Sequence, residues 1–189
     1  MIKTSNIFRN VLMFAALGTI CATSNLCAFA QSGTTAAQHH DLTPGVLDRQ
    51  QAAALLPSSV YYKGQSAPVQ ARNSAGIRFP GDKLALTALV DNSGYSSAVQ
   101  QTYQGYLLNE TRLKIGDKIL APGAYGFGFI AGDRVVVMDI AGNEILRAST
   151  TRDEQMARPN PLQILPDASA PGHYRLYLGR SYAILSEAK

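Results

Sequence analysis

Gly94-Tyr95-Ser96-Ser97-Ala98 is the stretch of this chain nearest to a catalytic motif. It approaches G-x-S-x-G, the strand-to-helix turn that lifts a serine Oγ to where a histidine can take its proton. A hydrolase of that kind has an acid and then a histidine downstream, and Asp139, Asp153 or Asp167 followed by His173 supplies that order. The final glycine is missing, however. The residues after Leu107 also alternate short apolar runs with turns, leaving no βαβ units for the parallel sheet such an elbow needs. Ser96, His173 and Asp139 are therefore the catalytic candidates of a secondary reading, a small serine hydrolase. The stretch itself is expected to be a surface loop.

Other chemistries find less support. Asp91, Glu110, Asp139, Glu144 and the Asp153-Glu154 pair lie near expected strand ends, where charged side chains are usually solvated, and a glycosidase would need two of them facing across a cleft. His39 and His40 sit in a polar stretch, and His173 is the only other histidine, so no metal-ligand spacing is present and no metal is expected. The chain has no P-loop, dinucleotide fingerprint, H-E-x-x-H or zinc-spaced Cys/His set, and no cofactor is expected. Gly123-Ala124-Tyr125-Gly126-Phe127-Gly128-Phe129 reads as a strand approached closely on its glycine face. Tyrosine is the conspicuous residue: after residue 30 there are nine, against three phenylalanines and no tryptophan. A phenol packs by its ring and bonds by its hydroxyl. Tyr95, Tyr103 and Tyr106, around the Asn92 to Tyr103 break, are the candidate ligand-binding residues.

Residues 1–30 have the pattern of a cleaved signal peptide. Lys3 and Arg9 form a basic start, an apolar run extends from Val11 to Cys21, and Ala28-Phe29-Ala30 gives a small-x-small exit. The run falls well short of the roughly twenty residues that span a bilayer. Bulky Leu26 before Cys27 argues against lipidation, so the product is expected in the periplasm or secreted, without an integral span. Both cysteines lie in the leader, leaving no thiol chemistry behind it. Without Lys3 and Arg9 the net charge of +4 falls to +2, with the basic residues scattered singly. That gives no case for nucleic-acid binding.

The rest must position whatever site exists. Residues 31–43 read as a flexible linker and 44–57 as a helix with its lead-in. Thr43 would cap that helix and Pro57 close it. From 58 to 189, short β-branched and aromatic runs between turns predict one all-β domain, an antiparallel sandwich or partly open barrel of about eight to ten strands. Lys83 to Asp91 is expected to be central and covered on both faces. Gly81-Asp82, Gly116-Asp117 and Gly132-Asp133 each separate two apolar runs and predict tight hairpins. Thr150 to Ala157 reads as a short helix. His173 to Leu178 and Ser181 to Ser186 read as a last hairpin with Arg175 and Tyr177 on a wet face.

The stretch from Leu113 through Gly116, Leu120, Pro122, Gly123 and Tyr125 to Phe127 carries a resemblance. It resembles the hairpin, marked by a glycine and then L-x-P-G-x-Y, of uncharacterised exported bacterial β-sandwich proteins of acidobacterial type. The resemblance covers about residues 113–149 and implies an exported β-sandwich without implying a reaction. The expectation is an exported, non-enzymatic module that binds a small ligand or an envelope protein. The alternatives are the hydrolase and a self-associating structural component of the envelope or matrix.

Overall fold

The computed structural model describes residues 43–188. The leader, most of the linker, both cysteines, His39 and His40 lie outside the described residues. The chain begins with strand β1 (Gly45–Leu47) and helix α1 (Arg49–Leu55). The helix is shorter than the sequence suggests, because its cap is Asp48 and not Thr43. The Asp48 carboxylate accepts from the Gln51 backbone amide at 2.8 Å while the Gln51 side chain accepts from the Asp48 amide at 2.9 Å. This reciprocal pair satisfies two amides that a helix start leaves open. Val46 and Leu47, expected on the helix, instead extend along the sheet opposite Ile77 and Gly76.

β2 (Ser59–Tyr62), β3 (Gln65–Phe79), β4 (Lys83–Val90) and β5 (Gly105–Asn109) follow, with helix α2 (Ser97–Thr102) between the last two. Next come β6 (Leu113–Ile115), β7 (Lys118–Leu120), β8 (Gly123–Ile130), β9 (Arg134–Met138) and β10 (Glu144–Ser149). The chain ends with β11 (Thr151–Arg152), β12 (Leu162–Pro166), β13 (His173–Leu178) and β14 (Ser181–Glu187). These strands form two open antiparallel sheets. The eight-stranded one runs β1-β3-β4-β5-β8-β9-β10 with β2 beside β3, and the six-stranded one runs β12-β13-β14-β6-β7 with β11 beside β14. With two short helices, the arrangement is consistent with the expected β-sandwich. It has more strands than expected, in part because β1 and β11 are pieces of three and two residues that apolar patterning does not register.

Between the sheets lies the main core, where Ile77, Phe79, Leu107, Phe127 and Val137 from the larger sheet meet Leu113, Ile115, Leu176 and Leu185 from the smaller. The chain passes between sheets at Asn109, a buried residue whose amide nitrogen donates to the carbonyls of Thr111 and Ala121, both at 2.8 Å. One side chain thus holds the departing and the returning strand. All three Gly-Asp pairs lie in hairpin turns. Asp82 and Asp133 take positive φ (62° and 53°) beside Gly81 and Gly132, the left-handed geometry aspartate tolerates better than most residues.

β4 is central, as its alternating apolar residues require, and both its faces are covered. On the side away from the smaller sheet, α1 packs Ala52 against Leu47 and Leu86. The rest of that face is covered by β3 itself, expected as two strands at Ala67–Asn73 and Gly76–Phe79. Residues 70–73 stand opposite the single residue Leu89, a bulge that bends the strand. Its first half then pairs with β2 as an arm, whose tip donates from the Lys63 amide to the Ile140 carbonyl at 2.8 Å. Thr150 to Ala157 is not helical: β11 and a run of turns take its place. That segment covers Tyr177, which is 2% exposed and donates its hydroxyl to Asp153 at 3.0 Å, so the face expected to be wet is partly sealed.

Candidate functional site

Ser96 is exposed and stands at the N-cap of α2, after a turn closed by the Tyr95 amide on the Asn92 carbonyl. It is not the tip of a strand. The neighbouring strands are antiparallel, so no crossover brings a histidine over it. His173 opens β13 in the other sheet, with Nδ1 3.4 Å from the Pro171 carbonyl. The three acids all bond elsewhere. Asp139 accepts from the Asn143 side chain and amide at 2.9 Å, and these bonds hold its carboxyl below the usual range. Asp153 takes Tyr177. Asp167 accepts from Ser169 and pairs with Arg175 at 2.8 Å, and its carboxyl is lowered, by the Ser169 bonds first. No hydrogen bond joins Ser96, His173 and a carboxylate among the described residues.

Two of the tyrosines expected to form a ligand face are core residues. Tyr103 is 0% exposed and Tyr95 is 7% exposed, and Tyr106 packs half-buried against the same cluster. The Tyr62 and Tyr103 rings stack at 3.8 Å, with Tyr95 edge-on to both. Gly126 makes room for the stack: a Cβ there would lie 2.9 Å from both rings. At Gly128 a Cβ would overlap the Thr102 carbonyl at the end of α2. The glycine face of β8 is thus approached closely, as expected from its sequence.

Side-chain amides hold the loop over this cluster. Asn92 donates to the Tyr103 carbonyl at 2.6 Å and Gln100 to the Tyr95 carbonyl at 2.7 Å. Gln104 both donates to the Phe129 carbonyl and accepts from its amide, imitating a strand neighbour. The Tyr95 hydroxyl bonds the carbonyls of Tyr62 and Gln65. Tyr62 donates to Met138 Sδ at 3.1 Å, and the Tyr103 hydroxyl is buried without a partner. Burial pushes all four phenols, Tyr62, Tyr95, Tyr103 and Tyr106, above the ordinary tyrosine range. The cluster is a packed cover in which Tyr95 and Tyr103 are buried and Tyr106 stays half-buried.

A cleft of about 740 Å³ opens at another place, along the margin of the smaller sheet. The β6–β7 hairpin contributes Lys114, Asp117 and Ile119, and the adjoining strands contribute His173, Tyr174, Ser186 and Glu187. Phe79 and Pro80 from the β3–β4 turn and Pro44 from the lead-in complete an apolar part. Two acids of the lining have partners of their own. Asp117 pairs with Lys118 at 3.2 Å, which above all holds its carboxyl low, and Glu187 accepts from the Thr111 hydroxyl at 2.9 Å. The Lys114 ammonium makes neither an ion pair nor a hydrogen bond among the described residues, though its charge also helps hold the Asp117 carboxyl low. Of this group His173 is the candidate site residue that the sequence offers, and the signal that unites it with Ser186, Lys114 and Ile119 is register. His173 stands opposite Ser186, Ser186 opposite Lys114, and Lys114 opposite Ile119.

Fold and site together define an antiparallel two-sheet protein with one face sealed by tyrosines and a half-apolar cleft at a sheet margin. Among the described residues no group of three or more His, Cys, Asp or Glu is placed to hold a metal ion, and no helix is long and apolar enough to cross a membrane. In comparisons with known proteins, no family model, no curated protein and no solved structure matches the chain.

Proposed function

We propose that this chain is an exported, non-enzymatic β module that binds a small amphipathic ligand in the marginal cleft. The observation that carries the reading is the cleft lining: apolar Pro80 and Ile119 adjoin His173 and Lys114, whose ammonium makes no ion pair among the described residues. Sites for small molecules combine an apolar body with a few convergent polar groups in this way. The leader pattern and the resemblance of residues 113–149 to exported sandwich proteins support a place outside the cytoplasm. The locally bonded acids weigh against the hydrolase, and an exposed N-cap serine without a base weighs against it further.

Self-association through sheet edges is opposed by the edges themselves. β12 follows Pro161 and ends on Pro166, β1 follows Pro44, β7 has three residues, and β10 carries a bulge at Ile145. These are devices that blunt strand addition. Titrating the isotope-labelled chain with a set of small aromatic acids, alcohols and amines tests the reading. Amide shifts confined to residues around Lys114, Ile119, His173 and Ser186 are expected. Shifts centred on residues 92–103, or none with any compound, would reject it, and serine labelling by a fluorophosphonate would restore the hydrolase.

A further inference from the structure

The polar wall of the cleft has an order that its composition does not reveal. His173, Ser186, Lys114 and Ile119 occupy one rung across β13, β14, β6 and β7, each directly opposite the next. Residues paired this way in antiparallel strands point to the same side of the sheet, with Cβ atoms about 5 Å apart. The rung therefore places an imidazole, a hydroxyl and an ammonium side by side, followed by an isoleucine that is 52% exposed. Ser186 is only 8% exposed, but its hydroxyl is not among the buried polar atoms left without a partner, so the oxygen reaches the open cleft.

We infer that the rung His173–Ser186–Lys114 is a carboxylate-binding row, and that the ligand of the cleft is an apolar organic acid whose body lies against Ile119 and Pro80. The inference rests on the cleft being the binding site. Its sign follows from which charges already have partners. Asp117 is paired with Lys118, while the ammonium of Lys114, the one lysine or arginine of the lining, makes no ion pair of its own among the described residues and acts on Asp117 only through its charge. Ser186 donates a hydrogen bond to the ligand carboxylate, and His173 adds a ring N–H.

Three probes with one apolar body separate the possibilities: phenylbutyrate, phenylbutanol and phenylbutylamine, titrated against the full mature chain at low salt. The acid is expected to bind about tenfold more tightly than the alcohol, as a charge-assisted hydrogen bond predicts. The Lys114→Met variant should lose that preference yet bind the alcohol as before, and Lys114→Arg should keep it. Equal binding of acid and alcohol, tighter binding of the amine, or an acid preference that survives Lys114→Met overturns the carboxylate row while leaving the cleft as the site. Failure of all three probes to move the cleft amides overturns both readings.

Discussion

The tyrosine cover and the marginal cleft both set aromatic rings beside polar groups, yet they treat those groups in opposite ways. Over the larger sheet, Asn92, Gln100, Gln104 and Tyr95 each satisfy backbone carbonyls, and the rings close on one another. In the cleft, the Lys114 ammonium and the Ser186 hydroxyl make no hydrogen bond among the described residues and line an open space. A long polar loop is thus no guide to a binding surface when its amides are used to fasten it. Groups left without partners are the better guide, because an unsatisfied donor held by a rigid sheet gains most from a ligand.

The largest test of this contrast is Gly128→Ala. Its methyl group would have to displace the Thr102 carbonyl, so a loss of about 3 kcal/mol in urea unfolding is expected. A loss below the noise would show that the cover is loose. Tyr95→Phe leaves the Tyr62 and Gln65 carbonyls without their hydroxyl partner, and about 1–2 kcal/mol of stability should go with it. An unchanged midpoint would mean the loop is not fastened there.

Tyr103→Phe should act the other way, raising stability by up to about 1 kcal/mol, because its hydroxyl is buried without a bond. The same variant carries a pH signature. A phenol raised by burial contributes stability that is complete below the unfolded tyrosine value near 10, and lost as pH climbs toward the folded one. Alkaline unfolding followed by circular dichroism should accordingly begin at higher pH in Tyr103→Phe than in the parent. The smallest effect belongs to the cleft: Lys114→Met and Ile119→Ser should each change stability by no more than about 0.5 kcal/mol, since neither group packs into the core. A large loss in either would make the cleft lining structural and remove the contrast.

Much of the fold was legible in residue order. The alternation in Lys83 to Val90 placed β4 at the centre, the Gly-Asp pairs marked hairpins, and the Gly-x-Gly-x run of β8 announced a close approach. The helix start was misjudged because Asp48 and Gln51 cap each other more completely than Thr43 with Pro44 would. The expected break between Asn73 and Gly76 is absent and β3 instead carries a bulge at residues 70–73, since local sequence does not show that its two halves pair with different partners. The site was barely legible. Lys114, Ser186 and His173 are far apart in sequence and meet only through strand register, whereas Ser96 and the tyrosines drew attention by composition.

Local chemistry therefore determined the leader pattern, the absence of thiols beyond it, the β class and the turns, because each depends on residues within a few positions of one another. The tertiary structure alone decided which tyrosines are sealed, which acids are bonded and which donors share a rung. Those outcomes depend on burial and on pairing between distant strands, where a shift of one residue would turn every side chain to the opposite face.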